Sequence, residues 1–252
     1  MDTAARKQKL SELRAEIYHL QGYGSKARAS IPIGLPEIDR KLPGQGLAVG
    51  TVHEVCGGSS GAIHGAAAAH FCAMMASKTF GKIIWCLTRF DIYPPALAQA
   101  GLDIDRVIFC KAKDQVGVLA TAEEALRHRG IGAVVSEVSR LGLTESRRLK
   151  LAAEESGALG LCLRRFERPA DVAGFGMANS CATRWRVTAM PGENLPVEGL
   201  GAPRLLVECV RATNGSFDQI VDVDDRSGSF FVPAQLASRS APARPGHIRA
   251  IA

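Results

Sequence analysis

The sequence has no long hydrophobic run, and this absence limits where the chain can reside. No apolar segment approaches the roughly 20 residues that a membrane-spanning helix needs. The N-terminus, MDTAARKQKLSEL, carries charges but no hydrophobic stretch of the kind found in secretion signals. We therefore expect a cytoplasmic protein that does not contact a membrane.

Closely spaced cysteine pairs are missing, and aromatic residues are scarce. The seven cysteines are scattered along the chain, and none forms a C-x-x-C motif. This pattern is typical of small buried side chains in a reducing compartment, so we expect no zinc or other metal site. Aromatic residues make up only 6% of the chain, so few side chains are present on which the bases of a single strand could stack.

What the chain does contain is an alternation of apolar strand patterns with helical patterns. The predicted strands cover residues 51–56, 82–87, 106–110, 131–138 and 158–163. The predicted helices cover residues 36–41, 62–78, 93–100, 114–129 and 144–156, the last capped by Thr144 or its neighbour. Near-continuous apolar strands between helices predict an α/β fold with a mostly parallel sheet and helices on both faces.

In the last third of the chain, strand patterns are no longer separated by helical patterns. Three strand patterns follow one another at 184–190, 204–212 and 217–224, with turns at Pro191 and Gly192 and at Asn214 and Gly215. An Asn-Gly pair between two strands is a hairpin signal. We therefore expect antiparallel strands at the C-terminal end of the sheet.

The two ends of the chain are predicted to lie outside the core. Residues 3–21 have the spacing of an amphipathic helix, with an apolar stripe formed by Leu10, Leu13, Ile17 and Leu20. This stripe could pack on its own domain or dock on a neighbouring subunit or partner. The predicted division is 1–24 for the helix and linker, 25–236 for the core and 237–252 for a C-terminal tail.

The predicted tail is basic and flexible. Residues 237–252 contain two prolines, small residues and no acidic residue. The candidate partner contacts in this tail are Arg239, Arg244 and Arg249.

A glycine-rich turn connects the first core strand to a helix and consists of Gly57, Gly58, Ser59, Ser60 and Gly61. Such a turn before a helix forms a cradle for phosphate, because backbone N–H groups converge there and the helix dipole favours an anion. Nucleotide hydrolysis also needs Lys and Ser or Thr directly after the last glycine. Ala62 and Ile63 stand there instead. The turn could bind an anion weakly, or its glycines could simply permit a tight connection.

The order of these segments resembles the core of RecA, the recombinase ATPase, over residues 31–232. The resemblance rests on the entry segment IPIGLPEIDRKLPGQGLAVG, the phrase GLDIDRVIF and the closing hairpin VECVRATNGSFDQIVDVDDRSG. Among RecA-like proteins, the chain is most similar to the ImuA family, which implies a role in the SOS response to DNA damage, in mutagenesis and translesion synthesis. The implied partners are an ImuB-like Y-family polymerase homologue, RecA and, indirectly, an error-prone C-family polymerase.

The RecA pattern also implies residues for catalysis that this chain lacks. An aspartate supporting Mg²⁺ is expected at Ser136, and the following Glu137 should point to the opposite face of its strand. A water-activating glutamate and a glutamine that senses the γ-phosphate are expected at positions that here hold Thr88 and Arg89, and Arg164 and Arg165. Such groups supply most of the transition-state stabilisation, so we expect a degenerate ATPase site without cofactor or catalysis.

Single-stranded DNA remains a candidate ligand. The net charge of +6 is compatible with nucleic acid but does not establish it. RecA binds single strands with two loops, and the second would lie near residues 164–180 here. The candidate phosphate contacts are Arg164, Arg165, Arg168, Arg184 and Arg186, and the alternative is a solvated basic surface.

The sequence thus favours a non-catalytic RecA-fold adaptor in lesion bypass, which acts through protein partners, with DNA contact and self-association left open. One alternative is a weak, nucleotide-dependent, DNA-binding ATPase with a rebuilt site. Another is a cell-division inhibitor of the SulA type, which would bind the tubulin-like division protein.

Overall fold

The computed structural model describes residues 29–166, 168–192, 201–224 and 229–233. Two predicted features lie outside these residues. They are the stripe of Leu10, Leu13, Ile17 and Leu20 and the tail with Arg239, Arg244 and Arg249. Within the described part, no helix is long and apolar enough to cross a bilayer.

Strands and helices alternate along the described chain. The strands are β1 (Ser30–Ile31), β2 (Leu47–Ala48), β3 (Thr51–Gly57), β4 (Lys82–Leu87), β5 (Val107–Lys111), β6 (Ile131–Val138), β7 (Leu159–Arg164), β8 (Thr183–Met190), β9 (Arg204–Arg211), β10 (Phe217–Val223) and β11 (Phe230–Phe231). The α-helices are α1 (Pro36–Asp39), α2 (Ala62–Ser77), α3 (Pro94–Gln99), α4 (Gln115–Arg127), α5 (Leu143–Ser156) and α6 (Pro169–Val172).

Nine strands form one sheet in the order β11-β10-β9-β8-β3-β7-β6-β4-β5. The six strands from β8 to β5 in this order are parallel to their neighbours. Strands β9, β10 and β11 complete the sheet by antiparallel pairing. The predicted α/β fold with antiparallel strands at its C-terminal end is therefore confirmed.

Two apolar layers enclose this sheet. Helix α2 covers one face, where Val55 and Trp85 point, and its many alanines allow the helix to approach the sheet closely. Helices α4 and α5 cover the other face, where Val52 and Ile84 point. Because parallel strands end at a common edge, the loops that follow β3, β4, β6 and β7 meet there.

Some local predictions need correction. Helix α5 begins at Leu143 and its N-cap is Gly142, which has no side chain to cap the helix, so Thr144 is not the cap. The short elements β11 and α6 were not predicted from the sequence. Neither two nor four residues carry enough periodicity to be recognised as an element.

The cysteines that are scattered along the sequence lie mostly in the core. Six of the seven are buried and Cys110 is half-buried. Desolvation raises the pKa of the Cys56 and Cys86 thiols to about 12, so both stay protonated at neutral pH.

Candidate functional site

The glycine-rich turn lies where predicted, between the end of β3 and the start of α2. Gly61 is the N-cap of α2 and adopts φ 101°, a backbone angle that favours glycine. Two amides of the turn are already engaged, since Gly58 N–H donates to the Val187 carbonyl at 2.8 Å and Gly61 N–H to the Phe166 carbonyl at 3.1 Å. The cradle is therefore partly closed by the protein's own backbone.

Two glycines of this turn are required by close packing. A Cβ atom at Gly57 would lie 2.6 Å from the carbonyl oxygen of His64 in the first turn of α2. A Cβ atom at Gly58 would lie 2.1 Å from Oγ1 of Thr188 in β8. Both distances are shorter than non-bonded atoms tolerate, so these positions accept only glycine without local movement.

The two residues directly after the turn offer no group for a phosphate or a metal. Ala62 and Ile63 occupy the first turn of α2, and the Ile63 side chain is 72% exposed to solvent. Of the other predicted turn residues, Ser59 is exposed and Ser60 is half-buried.

Arg165 occupies the centre of the site. Its guanidinium lies 2.9 Å from Oε2 of Glu137 and 2.9 Å from Oδ2 of Asp91. Its side chain also passes the first turn of α2, because a Cβ atom at Gly65 would lie 3.5 Å from Nε of Arg165. One arginine therefore pairs with two carboxylates beside the N-terminus of α2.

Glu137 lies on the side of the sheet that faces α2. Its neighbours Val135 and Ala133 belong to the core under α2, whereas Val134 and Val138 belong to the core under α4 and α5. The prediction that Glu137 points away from the site is therefore wrong. Its carboxylate also accepts a hydrogen bond of 2.8 Å from the Trp85 indole.

A small cavity of about 210 Å³ opens beside these groups. Its lining includes Thr88, Arg89, Asp91, Glu137 and Arg165. The residues present do not fit a magnesium nucleotide, because neither a lysine nor a serine or threonine directly follows the turn and Arg165 already pairs with both carboxylates. Among the described residues, no group of three or more His, Cys, Asp or Glu side chains could hold a metal ion.

Burial raises the pKa of Glu137, although the Arg165 charge and the Trp85 hydrogen bond act in the opposite direction. The folded state therefore holds this proton more tightly than the unfolded chain does. The contribution of Glu137 to stability should fall as the pH rises above its ordinary pKa of 4.5.

We expect the difference in unfolding free energy between Glu137→Gln and the parent protein to shift in favour of the variant as the pH rises from about 5 to about 7.5. Urea unfolding at both pH values measures this difference. Glu37→Gln, which removes a surface carboxylate paired with Arg40, controls for the loss of one charge. A stability difference that is constant or moves the other way would show that burial does not dominate at Glu137.

The structure corrects the predicted DNA contacts at Arg164 and Arg184. Both residues are buried, and both pair with Glu54, whose side chain is fully buried in β3. Arg164 Nη1 lies 2.6 Å from Oε1 of Glu54, and Arg184 Nε lies 2.5 Å from Oε2. Asn179 Nδ2 also donates to Oε2 at 2.7 Å. These guanidinium groups hold the interior together and do not reach a DNA phosphate in this conformation.

The other predicted DNA contacts are more accessible. The Arg168 side chain is 73% exposed and pairs with Asp171, and that of Arg186 is 38% exposed and lies 3.7 Å from Glu208. Phe175 packs against the guanidinium groups of Arg184 and Arg186, at 5.2 and 5.3 Å from its ring centre. The basic patch is therefore smaller than the sequence suggested, and Arg165 belongs to the carboxylate pair instead.

Comparison with known proteins gives related sequences and a related structure. A scan against models of protein families finds none that matches the chain. Over 219 residues the chain is 34% identical to "Protein ImuA" from two strains of Caulobacter vibrioides, which covers 82% of this chain and 84% of that protein.

Among solved structures, the RadB recombinase matches with a TM-score of 0.55 and 14% identity, over 81% of this chain and 99% of that one. This supports a shared fold. SulA from Pseudomonas aeruginosa matches over 34% of the chain and 71% of its own, with 28% identity and a TM-score of 0.31. That score is too low to support an argument.

Proposed function

Because the chain belongs to the ImuA family and has a RecA-like fold, we propose that it is a non-catalytic adaptor in DNA-damage-induced mutagenesis and translesion synthesis. In this role the chain brings together an ImuB-like polymerase homologue and RecA, and through them an error-prone C-family polymerase. Binding, and not ATP turnover, is the activity of the protein. The site of action is the cytoplasm.

One observation carries the proposal: Arg165 sits between Asp91 and Glu137 at the sheet edge where a RecA-like ATPase would need free carboxylates. A guanidinium paired with two carboxylates must be displaced before either could hold a metal or activate water. Glu137 is also buried, so an unpaired charge there would carry a desolvation penalty. The Arg165 guanidinium thus occupies the position between the two carboxylates that a metal ion or an activated water would need.

The enzyme alternative has one observation in its favour, which is that Glu137 faces α2. A rebuilt ATPase would use this carboxylate after Arg165 moved away. We predict instead no ATP hydrolysis above the protein-free rate, with Mg²⁺ and with or without single-stranded DNA. Steady-state phosphate release and calorimetric titration with ATP measure this.

Gly61→Asp is the test variant, since a carboxylate at the N-cap of α2 would repel a phosphate there. Because the φ of 101° at this position favours glycine, urea unfolding first checks that the variant keeps the parent fold. The proposal predicts that this variant and the parent protein give the same zero turnover. Saturable ATP binding or turnover that Gly61→Asp abolishes would contradict the proposal and favour the ATPase alternative.

Candidate partner elements are the helix of residues 3–21 and the tail of residues 237–252. Direct contact with single-stranded DNA is a secondary part of the proposal, and Arg168 and Arg186 are its remaining exposed candidates. Each phosphate contact adds salt dependence, so alanine at both positions should flatten the dependence of DNA affinity on salt.

A further inference from the structure

Three large apolar side chains are exposed at the edge of the sheet where the parallel strands end. Ile63 is 72% exposed, Phe90 56% and Tyr93 70%. Ile63 lies in the first turn of α2, and the two aromatic residues lie in the loop between β4 and α3. Large apolar side chains that are close together and mostly exposed mark interaction sites on folded proteins. We call these three residues the apolar patch.

Arg165 joins the two segments that carry the apolar patch. Its guanidinium lies 2.9 Å from Oδ2 of Asp91, which stands between the two aromatic residues of the patch in the sequence. Its Nε lies 3.5 Å from the position of a Cβ atom at Gly65, two residues after Ile63. The apolar patch therefore surrounds Arg165 and its carboxylates, and this ion pair fixes the loop that carries the aromatic residues.

Three basic residues stand at the ends of the neighbouring strands. Lys111 ends β5 and pairs in register with Leu87 of β4, and Lys113 follows two residues later. Arg140 follows the end of β6. All three are exposed, and none of them forms an ion pair with another residue in the described part of the chain. We call these three residues the basic rim.

The basic rim adjoins the apolar patch. The Phe90 ring packs on the Phe109 ring of β5, with 5.2 Å between the ring centres. Lys111 points to the same face of the sheet as Phe109, because residues two apart in a strand share a face. The Arg140 amide donates to Oε1 of Gln115 at 3.1 Å, and Gln115 lines the cavity of about 210 Å³ at the site. Apolar side chains and cations therefore form one surface.

Carboxylates beside this surface already have partners. Asp91 and Glu137 pair with Arg165. Asp114 is the N-cap of α4 and accepts a hydrogen bond of 2.9 Å from the Gly117 amide. The positive charge of the basic rim is therefore available to a ligand. An apolar centre with a charged rim is the arrangement of protein interfaces, and complementary charge selects the partner.

We propose that the apolar patch and the basic rim bind an acidic segment of a partner protein. This segment places apolar side chains on the patch and carboxylates beside the rim. A nucleic-acid strand fits this surface less well, because its phosphates would have to cross the two carboxylates that share the Arg165 guanidinium at the centre. The inference rests on the proposed function, since it gives the adaptor a surface that holds one of its partners.

The probe is a short fluorescein-labelled peptide of glutamate, leucine and phenylalanine, and fluorescence anisotropy measures its affinity for the native full-length protein. Ile63→Ala with Tyr93→Ala should weaken binding about tenfold, because the apolar anchors of the surface are lost. Both side chains are so exposed that their removal should leave the fold intact. Lys111→Glu with Lys113→Glu should also weaken binding about tenfold and reverse its dependence on salt.

The matched control is Phe80→Ala with Lys82→Glu, which changes an exposed aromatic residue and an exposed lysine at the opposite end of β4 and should bind like the parent protein. Equal affinity in all variants, or no binding of the acidic peptide, would overturn the proposal. A thymidine oligonucleotide that binds more tightly than the peptide and loses affinity in both double variants would also overturn it, because the surface would then hold nucleic acid.

Capture of the ImuB-like homologue, measured in parallel, separates this inference from the proposed function. A protein that captures the homologue but does not bind the acidic peptide keeps the proposed function and refutes the inference. Loss of both would count against both.

Discussion

Replacing Glu54 with alanine should lower the free energy of unfolding by about 3–5 kcal/mol, because it leaves two buried guanidinium groups without their counter-charge. Glu54 is fully buried, and Arg164 and Arg184 are 2% and 5% exposed. The carboxylate also accepts from Asn179, which in turn accepts a hydrogen bond of 2.9 Å from Arg211. The loop between β7 and β8 is therefore fixed to β3 through one side chain.

Chemical denaturation measures this loss directly, and thermal unfolding should show a midpoint lower by roughly 6–20 °C for a chain of this size. The control is Glu37→Ala, which breaks a surface pair with Arg40 at 3.9 Å. Surface pairs of this kind contribute little, so the control should stay within about 0.5 kcal/mol of the parent protein. A loss at Glu54 no larger than that at Glu37 would refute the claim that these arginines are structural.

Replacing Gly57 with alanine should destabilise the protein by about 3 kcal/mol, the upper end of the usual range for overpacking. The added methyl group would meet backbone atoms of His64 at 2.6 and 2.7 Å, and neither β3 nor α2 can move without disturbing the core. The loss should be the same with and without magnesium ATP, because it arises from packing and not from a missing phosphate contact.

Gly130→Ala is a suitable control for this experiment. A Cβ atom at Gly130 meets nothing within 4 Å, so its stability should change by less than about 0.5 kcal/mol. Urea unfolding of both variants gives the comparison. Native stability in Gly57→Ala would show that the turn is retained for a reason other than the packing of β3 against α2.

Much of the fold could be predicted because local pattern and tertiary structure agree. Strands such as β4 and β6 are short apolar runs between helices, as buried parallel strands should be. The Asn214 and Gly215 turn likewise predicted the hairpin of β9 and β10. Boundaries shifted by a residue or two, as they commonly do at helix and strand ends.

The site was harder to predict, because its contacts join residues that are far apart in sequence. Strand β6 reads IGAVVSEV, and an almost uniformly apolar strand does not reveal which face Glu137 takes. Arg164 and Arg165 are adjacent, yet one is buried against Glu54 and the other lies against Asp91 and Glu137. Two adjacent arginines at the end of a strand do not indicate which of them is buried and which lies in the site.

One signal in the sequence could have identified the buried network. Glu54 stands in the middle of the apolar strand β3, where an unpaired carboxylate would be very unfavourable. Such a residue requires a buried cationic partner, and the arginines at the ends of neighbouring strands were the available candidates. On this ground Arg164 and Arg184 belong to the interior and not to a DNA surface.

Capture of a purified ImuB-like polymerase homologue by the immobilised full-length protein tests the adaptor proposal most directly. The measurement is made without nucleotide, with magnesium ATP, and with the Gly61→Asp variant in place of the parent protein. The account predicts the same capture in all three cases, because binding needs no nucleotide. Capture that requires ATP and is lost in Gly61→Asp, or no capture under any condition, would contradict it.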